Sequence, residues 1–256
     1  MKKLFLHSLA LAAIIAGPAM AADMPVKFKA PPPITVYDWS GVYIGGNIGG
    51  GWADVNRFYP QAIGGPLNAG TRIEDAFGGF HGGAQAQWQN LVLGFEVAYS
   101  VQGKIDGSVP LPTPPFATDL SARHLLGNLL TVGPRLGYAW DNVLIYATGG
   151  YAHAPIDAEY ISTATGAARF PTFWGQSKNS GWFAGVGVEY VVHKTSFMDV
   201  IVGAEYQHID LQEQNSFCFN TACNPANAED YRTGATVDIV RARLSIKTHG
   251  FPFFRG

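Results

Sequence analysis

Residues 181–192, GWFAGVGVEYVV, alternate between two kinds of side chain. One face carries Trp182, Val186 and Tyr190 among other apolar residues, whereas the opposite face is mostly glycine with Glu189 near its middle. A period of two residues is that of a β-strand, because successive side chains of a strand point to opposite faces. An apolar face backed by small and polar residues is typical of a strand in a membrane barrel, whose outer face meets lipid and whose inner face lines the interior.

The same alternation recurs along the chain. Together the eight predicted strands are residues 40–53, 76–89, 91–103, 126–140, 143–157, 180–192, 198–211 and 233–247. Short turns separate some of them, and the long connections are residues 55–75, 104–125, 158–179 and 212–232. In up-and-down barrels of bacterial outer membranes, short turns lie on the periplasmic side and long loops lie outside. The sequence therefore predicts an all-β, eight-stranded antiparallel up-and-down transmembrane β-barrel with periplasmic termini and extracellular long loops.

The composition fits a barrel in lipid better than a soluble β-sandwich, whose strands would also alternate. Charged residues make up 14% of the chain, below the roughly 25% of soluble domains, and aromatic residues reach 13%. No segment after residue 21 approaches the roughly 20 apolar residues that a spanning helix needs. Aromatic residues near predicted strand ends are expected to form belts around the lipid-facing band. They are Trp39, Trp52, Trp88, Tyr99, Tyr138, Trp140, Tyr151, Trp182 and Tyr190.

The N-terminal residues predict export. Two lysines precede an apolar run that ends in Ala-Met-Ala, the small-x-small pattern of a cleavage site. The run is too short for an anchor helix, so residues 1–21 are interpreted as a signal peptide. Three consecutive prolines mark residues 22–38 as an extended periplasmic linker. The barrel is then predicted to cover residues 39–248, followed by a C-terminal tail at 249–256.

Two stretches carry a resemblance to a known family: DWSGVYIGGNIGGGW from Asp38 and RLGYAWDNVLIYATGGYAHA from Arg135. They resemble the porin-like family of small outer-membrane immunogenic proteins of α-proteobacteria, which are OmpA-like eight-stranded barrels. The resemblance implies an abundant surface-exposed barrel, inserted by the barrel-insertion machinery, and it brings no enzymatic residues. The last strand departs from the family pattern, because Arg243 stands where glycine is usual and Thr248 where an aromatic residue is usual.

The inner faces of the predicted strands carry a balanced set of charges. Alternation assigns three acids and three bases to the interior: Glu96, Glu189, Glu205, Arg135, Arg241 and Arg243. The same face is expected to hold His81 and Gln85, together with Asn47, Gln87 and Gln207. A charge inside a narrow eight-stranded barrel must be paired or hydrogen-bonded. We therefore expect an ion-pair network in the lumen, with Glu189 or Glu205 bonded to Arg241 or Arg243.

Three functions are compatible with this interior. A lumen filled by its own network indicates a structural or surface-interaction protein that contributes to envelope integrity, and eight strands leave little room for anything else. The alternative is a small-solute porin, in which the same charges would line a channel. The third is a lipid-modifying enzyme, which would need a histidine-centred cluster near the outer rim, such as His208 with Asp210 and a loop serine.

Motifs for enzyme chemistry are missing from the sequence. It contains no Gly-x-Ser-x-Gly elbow and no His-Glu-x-x-His pair, and its glycine clusters do not match a nucleotide-binding motif. No enzymatic activity, cofactor or metal site is therefore predicted. Without residues 1–21 the chain has 15 basic and 19 acidic side chains, a formal charge of −4, which argues against a nucleic-acid partner.

The predicted loops carry the remaining candidates. Cys218 and Cys223 lie close together in an exported chain, which predicts a disulfide, the alternative being two free thiols. Basic and aromatic loop residues are suited to contact lipopolysaccharide phosphates or a host or envelope ligand, the alternative being a merely solvated surface. The expected partners are thus outer-membrane lipid and lipopolysaccharide, the insertion machinery and ligands of the loops.

Overall fold

The computed structural model describes residues 37–59, 67–102, 106–110, 120–162, 165, 175–216 and 231–249. Ten strands lie in these ranges: β1 Gly41–Tyr59, β2 Leu67–Trp88, β3 Leu91–Gln102, β4 Asp106–Pro110, β5 Leu120–Leu126, β6 Leu129–Trp140, β7 Val143–Ser162, β8 Gly175–Lys194, β9 Met198–Ser216 and β10 Tyr231–Thr248. Within the same ranges there is no helix long and apolar enough to cross a membrane.

Eight of the strands close into a ring. Each pairs antiparallel with its neighbour in the order β1, β2, β3, β6, β7, β8, β9 and β10, and β10 pairs with β1 to close the ring. The predicted eight-stranded antiparallel up-and-down barrel is confirmed. The short strands β4 and β5 are an addition: β4 pairs with β5, and β5 pairs with the far end of β7, beyond the part of β7 that pairs with β6.

The two ends of the ring differ. Residues 89–90, 141–142 and 195–197 make tight connections at one end, which we call the short-turn end; the opposite end is the long-loop end. The predicted long loops are too long, because strands continue into them: β1 runs to Tyr59, β2 begins at Leu67 and β9 runs to Ser216. In the extensions of β1 and β2 the outward side chains are mostly polar, which hides the alternation, whereas Val55 and Ile73 are buried inside and the strand pairing continues. The extension of β9, residues 212–216, is polar throughout its sequence.

The two faces of β8 lie as the alternation predicts. Val186, Val188 and Tyr190 are exposed on the outside, whereas Phe183 and Glu189 are buried inside. Exposed apolar side chains on the other ring strands complete an outer band that suits lipid. The belt prediction for Trp39 is wrong. This residue precedes β1 and is fully buried inside the barrel, because the chain turns inward before the first strand begins.

Pro134 in the middle of β6 occupies a break in the strand pairing. The β6–β7 register passes from Val132 opposite Tyr151 to Arg135 opposite Thr148 with no paired residues between them. A Cβ on Gly133 would collide with the carbonyl oxygen of Gly149, so only glycine permits the approach of the two backbones here. A proline, which has no backbone N–H to donate, is tolerated at such a break.

A charge on the outer face of β8 tests which face meets lipid. We expect Val188→Arg to lower the free energy of unfolding by about 2–4 kcal/mol, because an arginine near the middle of the apolar band faces hydrocarbon. Denaturant titration of the protein in lipid vesicles measures this change. Ser196→Arg, in the turn between β8 and β9, is the matched control and should leave stability nearly unchanged; equal effects of the two substitutions would contradict the assignment.

Candidate functional site

The interior of the barrel is arranged in three layers. An apolar cluster that includes Trp39, Leu144 and Ile201 fills the short-turn end. A second apolar cluster, which includes Phe77, Phe183 and Ile239, fills the long-loop end. Between them lie the charged side chains that the sequence assigned to the interior, which we call the charged layer. It consists of Glu96, Arg135, Glu189, Glu205, Arg241 and Arg243, all of them buried.

Small residues on neighbouring strands make room for these long side chains. In the strand pairing Glu189 of β8 and Arg243 of β10 both stand opposite Gly203 of β9. A Cβ on Gly203 would lie 2.8 Å from Cγ of Glu189, which is closer than such atoms approach in proteins. Glycine at this position therefore lets the carboxylate and the guanidinium turn into the lumen, and it explains why glycines alternate with charges along the inner face.

Arg243 lies at the centre of the charged layer. Its Nη2 donates to Oε2 of Glu96 at 2.6 Å, and its Nη1 donates to Oε2 of Glu205 at 2.6 Å. Its Nε lies 3.5 Å from Oε1 of Glu189. Because Glu96 is on β3 and the other two acids are on β8 and β9, one guanidinium on β10 connects strands on opposite sides of the ring.

Arg135 forms the second junction. Its Nη2 donates to Oε2 of Glu189 at 2.8 Å, and its Nη1 lies 3.2 Å from Oε2 of Glu96. The guanidinium also sits 3.8 Å from the ring centre of Tyr146, a cation–π contact that strengthens away from water. The hydroxyl of Tyr43 accepts a hydrogen bond from Arg135 at 2.9 Å and donates one to Glu96 at 2.7 Å.

Arg241 completes the layer. Its Nε donates to Oε1 of Glu205 at 3.0 Å, and Nε2 of Gln207 donates to the same oxygen at 2.7 Å. Every carboxylate in the layer thus contacts at least one arginine, and the three acids balance the three bases. A buried set of charges with no net charge and several shared hydrogen bonds is the arrangement that offsets the cost of removing ions from water.

The other sequence-predicted residues take separate positions. His81 lies in the interior beside the charged layer, where Nε2 is 2.8 Å from Oγ of Ser245. Gln85 does not join the charged layer; its Nε2 donates instead to the carbonyl of Trp39 at 2.8 Å. Cys218 and Cys223 lie outside the described residues, so their disulfide stays a prediction.

A further cluster closes the short-turn end of the barrel, and we call it the terminal clasp. The hydroxyl of Tyr37 and Nε2 of His249 both contact Oδ2 of Asp199, the latter at 2.8 Å. Nζ of Lys247 lies 3.8 Å from the same carboxylate and donates to backbone carbonyls before β1, including that of Ser40 at 3.2 Å. Burial and the Asp199 carboxylate raise the pKa of Tyr37 well above its usual range, so the phenol keeps the proton it donates.

Trp39 seals the same end from the inside. Its backbone N–H donates to Oε1 of Gln87 at 2.7 Å, and its indole Nε1–H donates to the carbonyl of Asp141 at 3.1 Å. The segment before β1 therefore lies across the short-turn end and is fixed to the end of β2 and to the turn between β6 and β7. Together with the terminal clasp it links the residues before the first strand to those at the end of the last.

Sequence reasoning left out several buried polar residues of the described ranges, among them Tyr43, Tyr146, Asp199 and Lys247. Alternation contained the signal for each of them. Lys247 is on the same face of β10 as Arg241 and Arg243, and Tyr43 lies four residues before the inward Asn47. Tyrosines and a strand-end lysine were not included in the predicted interior network. The tyrosine hydroxyls donate to buried carboxylates, and Lys247 donates to backbone carbonyls beside Asp199.

The histidine considered for catalysis has a different partner from the one suggested. Nδ1 of His208 lies 2.8 Å from Oδ1 of Asp238 on β10, and not beside Asp210. The reason is the register, since His208 and Asp238 are directly opposed while Asp210 faces Thr236. Among the described residues no group of three or more His, Cys, Asp or Glu side chains could hold a metal ion.

Comparison with known proteins agrees with this architecture. Residues 9–238 match the family described as outer membrane protein beta-barrel domain. The 31 kDa outer-membrane immunogenic protein of Brucella melitensis is 30% identical over 234 residues, which cover 84% of this chain and 89% of that protein. The chain belongs to the outer membrane β-barrel family. It is accordingly a protein of the bacterial outer membrane, and the family resemblance seen in its sequence is confirmed.

Two solved structures of outer-membrane proteins are similar to this barrel. OprG of Pseudomonas aeruginosa is 11% identical, with a TM-score of 0.45, and the match covers 80% of this chain and 96% of that one. The outer membrane protease OmpT of Escherichia coli is 10% identical, with a TM-score of 0.45, and the match covers 84% of this chain and 99% of that one.

Removing one charge from the layer should destabilise this outer membrane β-barrel. We expect Arg243→Met to lower the free energy of unfolding by about 3–5 kcal/mol, because three carboxylates would then face two arginines. Denaturant titration in vesicles measures the loss. Arg72→Met is the matched control, since Arg72 makes an exposed ion pair with Glu74 at 3.3 Å and its loss should change little.

The pairing within the layer has its own test. A double-mutant cycle of Glu205→Gln with Arg241→Gln should show strong coupling, whereas Glu189→Gln with Arg241→Gln, which are not in direct contact, should show less. Equal losses from Arg243→Met and Arg72→Met, or no coupling in the first cycle, would show that the charges do not hold the barrel together.

Proposed function

We propose that this protein is a structural and surface-interaction barrel that contributes to the integrity of the outer membrane and conducts no solute. The observation that carries the proposal is the charged layer between two apolar layers. Its six ionic side chains are paired with one another and all are buried, so they occupy the lumen instead of lining a path through it. The short-turn end is closed as well, by Trp39 and the terminal clasp.

The long-loop end is proposed to face the outside of the cell. Short periplasmic turns and long external loops are the rule for this class of barrel. The ring strands extend past the apolar outer band at this end, and their inward side chains there form the second apolar cluster. A rigid, internally packed rim of this kind suits the display of loops to partners. The relative from Brucella is named an immunogenic protein, which is consistent with exposure at the cell surface.

The alternative functions fit the geometry less well. A small-solute porin needs a continuous wet path, and Arg135, Arg241 and Arg243 lie across that path with at most 3% of each residue exposed. A hydrolase would need a nucleophile, a base and a group that orients the base. The carboxylate beside His208 also contacts the hydroxyl of Tyr206 at 2.6 Å, and no serine contacts this histidine among the described residues.

Conductance separates the sealed barrel from the porin. The refolded protein without residues 1–21 should give no discrete current steps in a planar bilayer, because the charged layer and both apolar layers block the lumen. Folding is checked independently by the heat-modifiable migration of the intact barrel on gels. Reproducible current steps of one size from folded protein would overturn the proposal. They would indicate that the charged layer acts as a selectivity filter.

Labelling of intact cells tests the orientation. In a Cys218→Ser, Cys223→Ser background, Lys178→Cys near the long-loop end should react with a membrane-impermeant maleimide on intact cells. Ser196→Cys at the short-turn end, which is also exposed, should react only after the outer membrane is broken. Labelling of Ser196→Cys but not Lys178→Cys on intact cells would reverse the proposed orientation.

A further inference from the structure

The aromatic belts at the two ends of the outer band differ in chemistry. The belt nearer the short turns, which we call the short-turn belt, consists of Trp88, Tyr138, Trp140 and Tyr190. These side chains are exposed and, within the described part of the chain, make no side-chain hydrogen bond. The belt nearer the long loops, the long-loop belt, consists of Trp52, Tyr99, Tyr151, Trp182 and Tyr206, and polar side chains accompany it around the ring.

One polar group of the long-loop belt lies between β7 and β8. His153 and Ser180 face each other in the strand pairing, and Nδ1 of the histidine is 3.1 Å from Oγ of the serine. The hydroxyl of Tyr151 is 2.8 Å from the same Oγ, and its ring stacks on that of His153. Tyr151 in turn stands opposite Trp182. The group presents hydroxyl and imidazole atoms directly above the apolar band.

A second group continues the belt across β9, β10 and β1. Asp238 accepts hydrogen bonds from the hydroxyl of Tyr206 and from His208, and Trp52 stands opposite it in the strand pairing. The ring of His208 lies 5.8 Å from that of Trp182, so this group adjoins the first one. On β2 the guanidinium of Arg72 lies over the ring of Trp52 at 5.7 Å and is exposed.

We propose that the long-loop belt binds the headgroup of a phosphorylated glycolipid of the outer leaflet. Sugar hydroxyls donate and accept hydrogen bonds, which matches the mixture of phenol, imidazole, serine hydroxyl and carboxylate around the belt. Exposed aromatic faces pack on the apolar faces of sugars, and the exposed Arg72 suits a phosphate. The acyl chains would lie along the apolar band below, beside residues such as Val186. The short-turn belt offers only ring surface and the indole and phenol tips.

This proposal rests on the proposed function, which places the long-loop end at the outer leaflet. Its test uses vesicles that contain lipid A in both leaflets, so that its outcome does not depend on the orientation of the barrel; orientation is decided by the labelling experiment on cells. Lipid A, an acylated and phosphorylated disaccharide, is the probe. After mild detergent extraction, native mass spectrometry counts the lipid A and phosphatidylcholine molecules that remain bound to each protein.

The variants remove phenol hydroxyls and keep the rings. Tyr151→Phe combined with Tyr206→Phe should lower lipid A retention about five- to tenfold, because two hydrogen-bonding groups are lost. Tyr138→Phe combined with Tyr190→Phe, on the short-turn belt, is the matched control and should retain lipid A like the unaltered protein. Heat-modifiable migration on gels confirms that all variants are folded.

Two results would overturn the proposal. One is an equal loss of lipid A from both double variants, which would mean that the phenols act only as general interfacial anchors. The other is retention of phosphatidylcholine as strongly as lipid A by the unaltered protein, which needs no variant and would mean that the belt does not distinguish a sugar headgroup.

Discussion

The pairing of charges inside the lumen is the constraint on which the rest of the barrel depends. An ion in a narrow interior must find a partner, and here three carboxylates face three guanidinium groups with no charge left over. Arg243 contacts acids on three different strands, so the position of β3, β8 and β9 around the ring follows partly from one side chain. The network is therefore also a device that specifies how the strands are arranged.

The two apolar layers make this pairing effective. Phe183 and Ile239 on the long-loop side, and Leu144 and Ile201 on the short-turn side, separate the charges from bulk water. Without water, ionic hydrogen bonds are stronger, and an unpaired charge costs more. The same layers explain why the interior is a poor channel: solutes would have to displace packed side chains before reaching the charges. The two apolar layers that block the lumen are thus the same layers that keep water away from the ion pairs.

Alternation in the sequence was enough to predict the barrel and the members of the charged layer, because a period of two places each residue on a definite face. The expected pairing of Glu189 or Glu205 with Arg241 or Arg243 is found, since Glu205 contacts both arginines. The contact of Glu96 with Arg243 was not predicted. Glu96 and Arg243 are 147 positions apart, and their contact depends on strand order and register across the lumen. Alternation also failed for Trp39, since it holds only inside a strand and this residue precedes β1. The long-loop strand extensions were missed because polar outward side chains concealed the alternation in β1 and β2, and because residues 212–216 of β9 are all polar.

The last strand shows why a departure from a family pattern can be structural. A glycine at position 243 would leave Glu96 and Glu205 facing the lumen with one guanidinium fewer, so the arginine there is required by the acids of other strands. Four residues later, Lys247 on the same face contacts the backbone before β1, and the neighbouring Thr248 pairs with Val42. Closing the ring between β1 and β10 therefore brings Arg243 to its partners, and those partners hold the closing strand in place. Closure and charge neutralisation favour each other, which is a physical reason for the inward face of the final strand to be rich in cations.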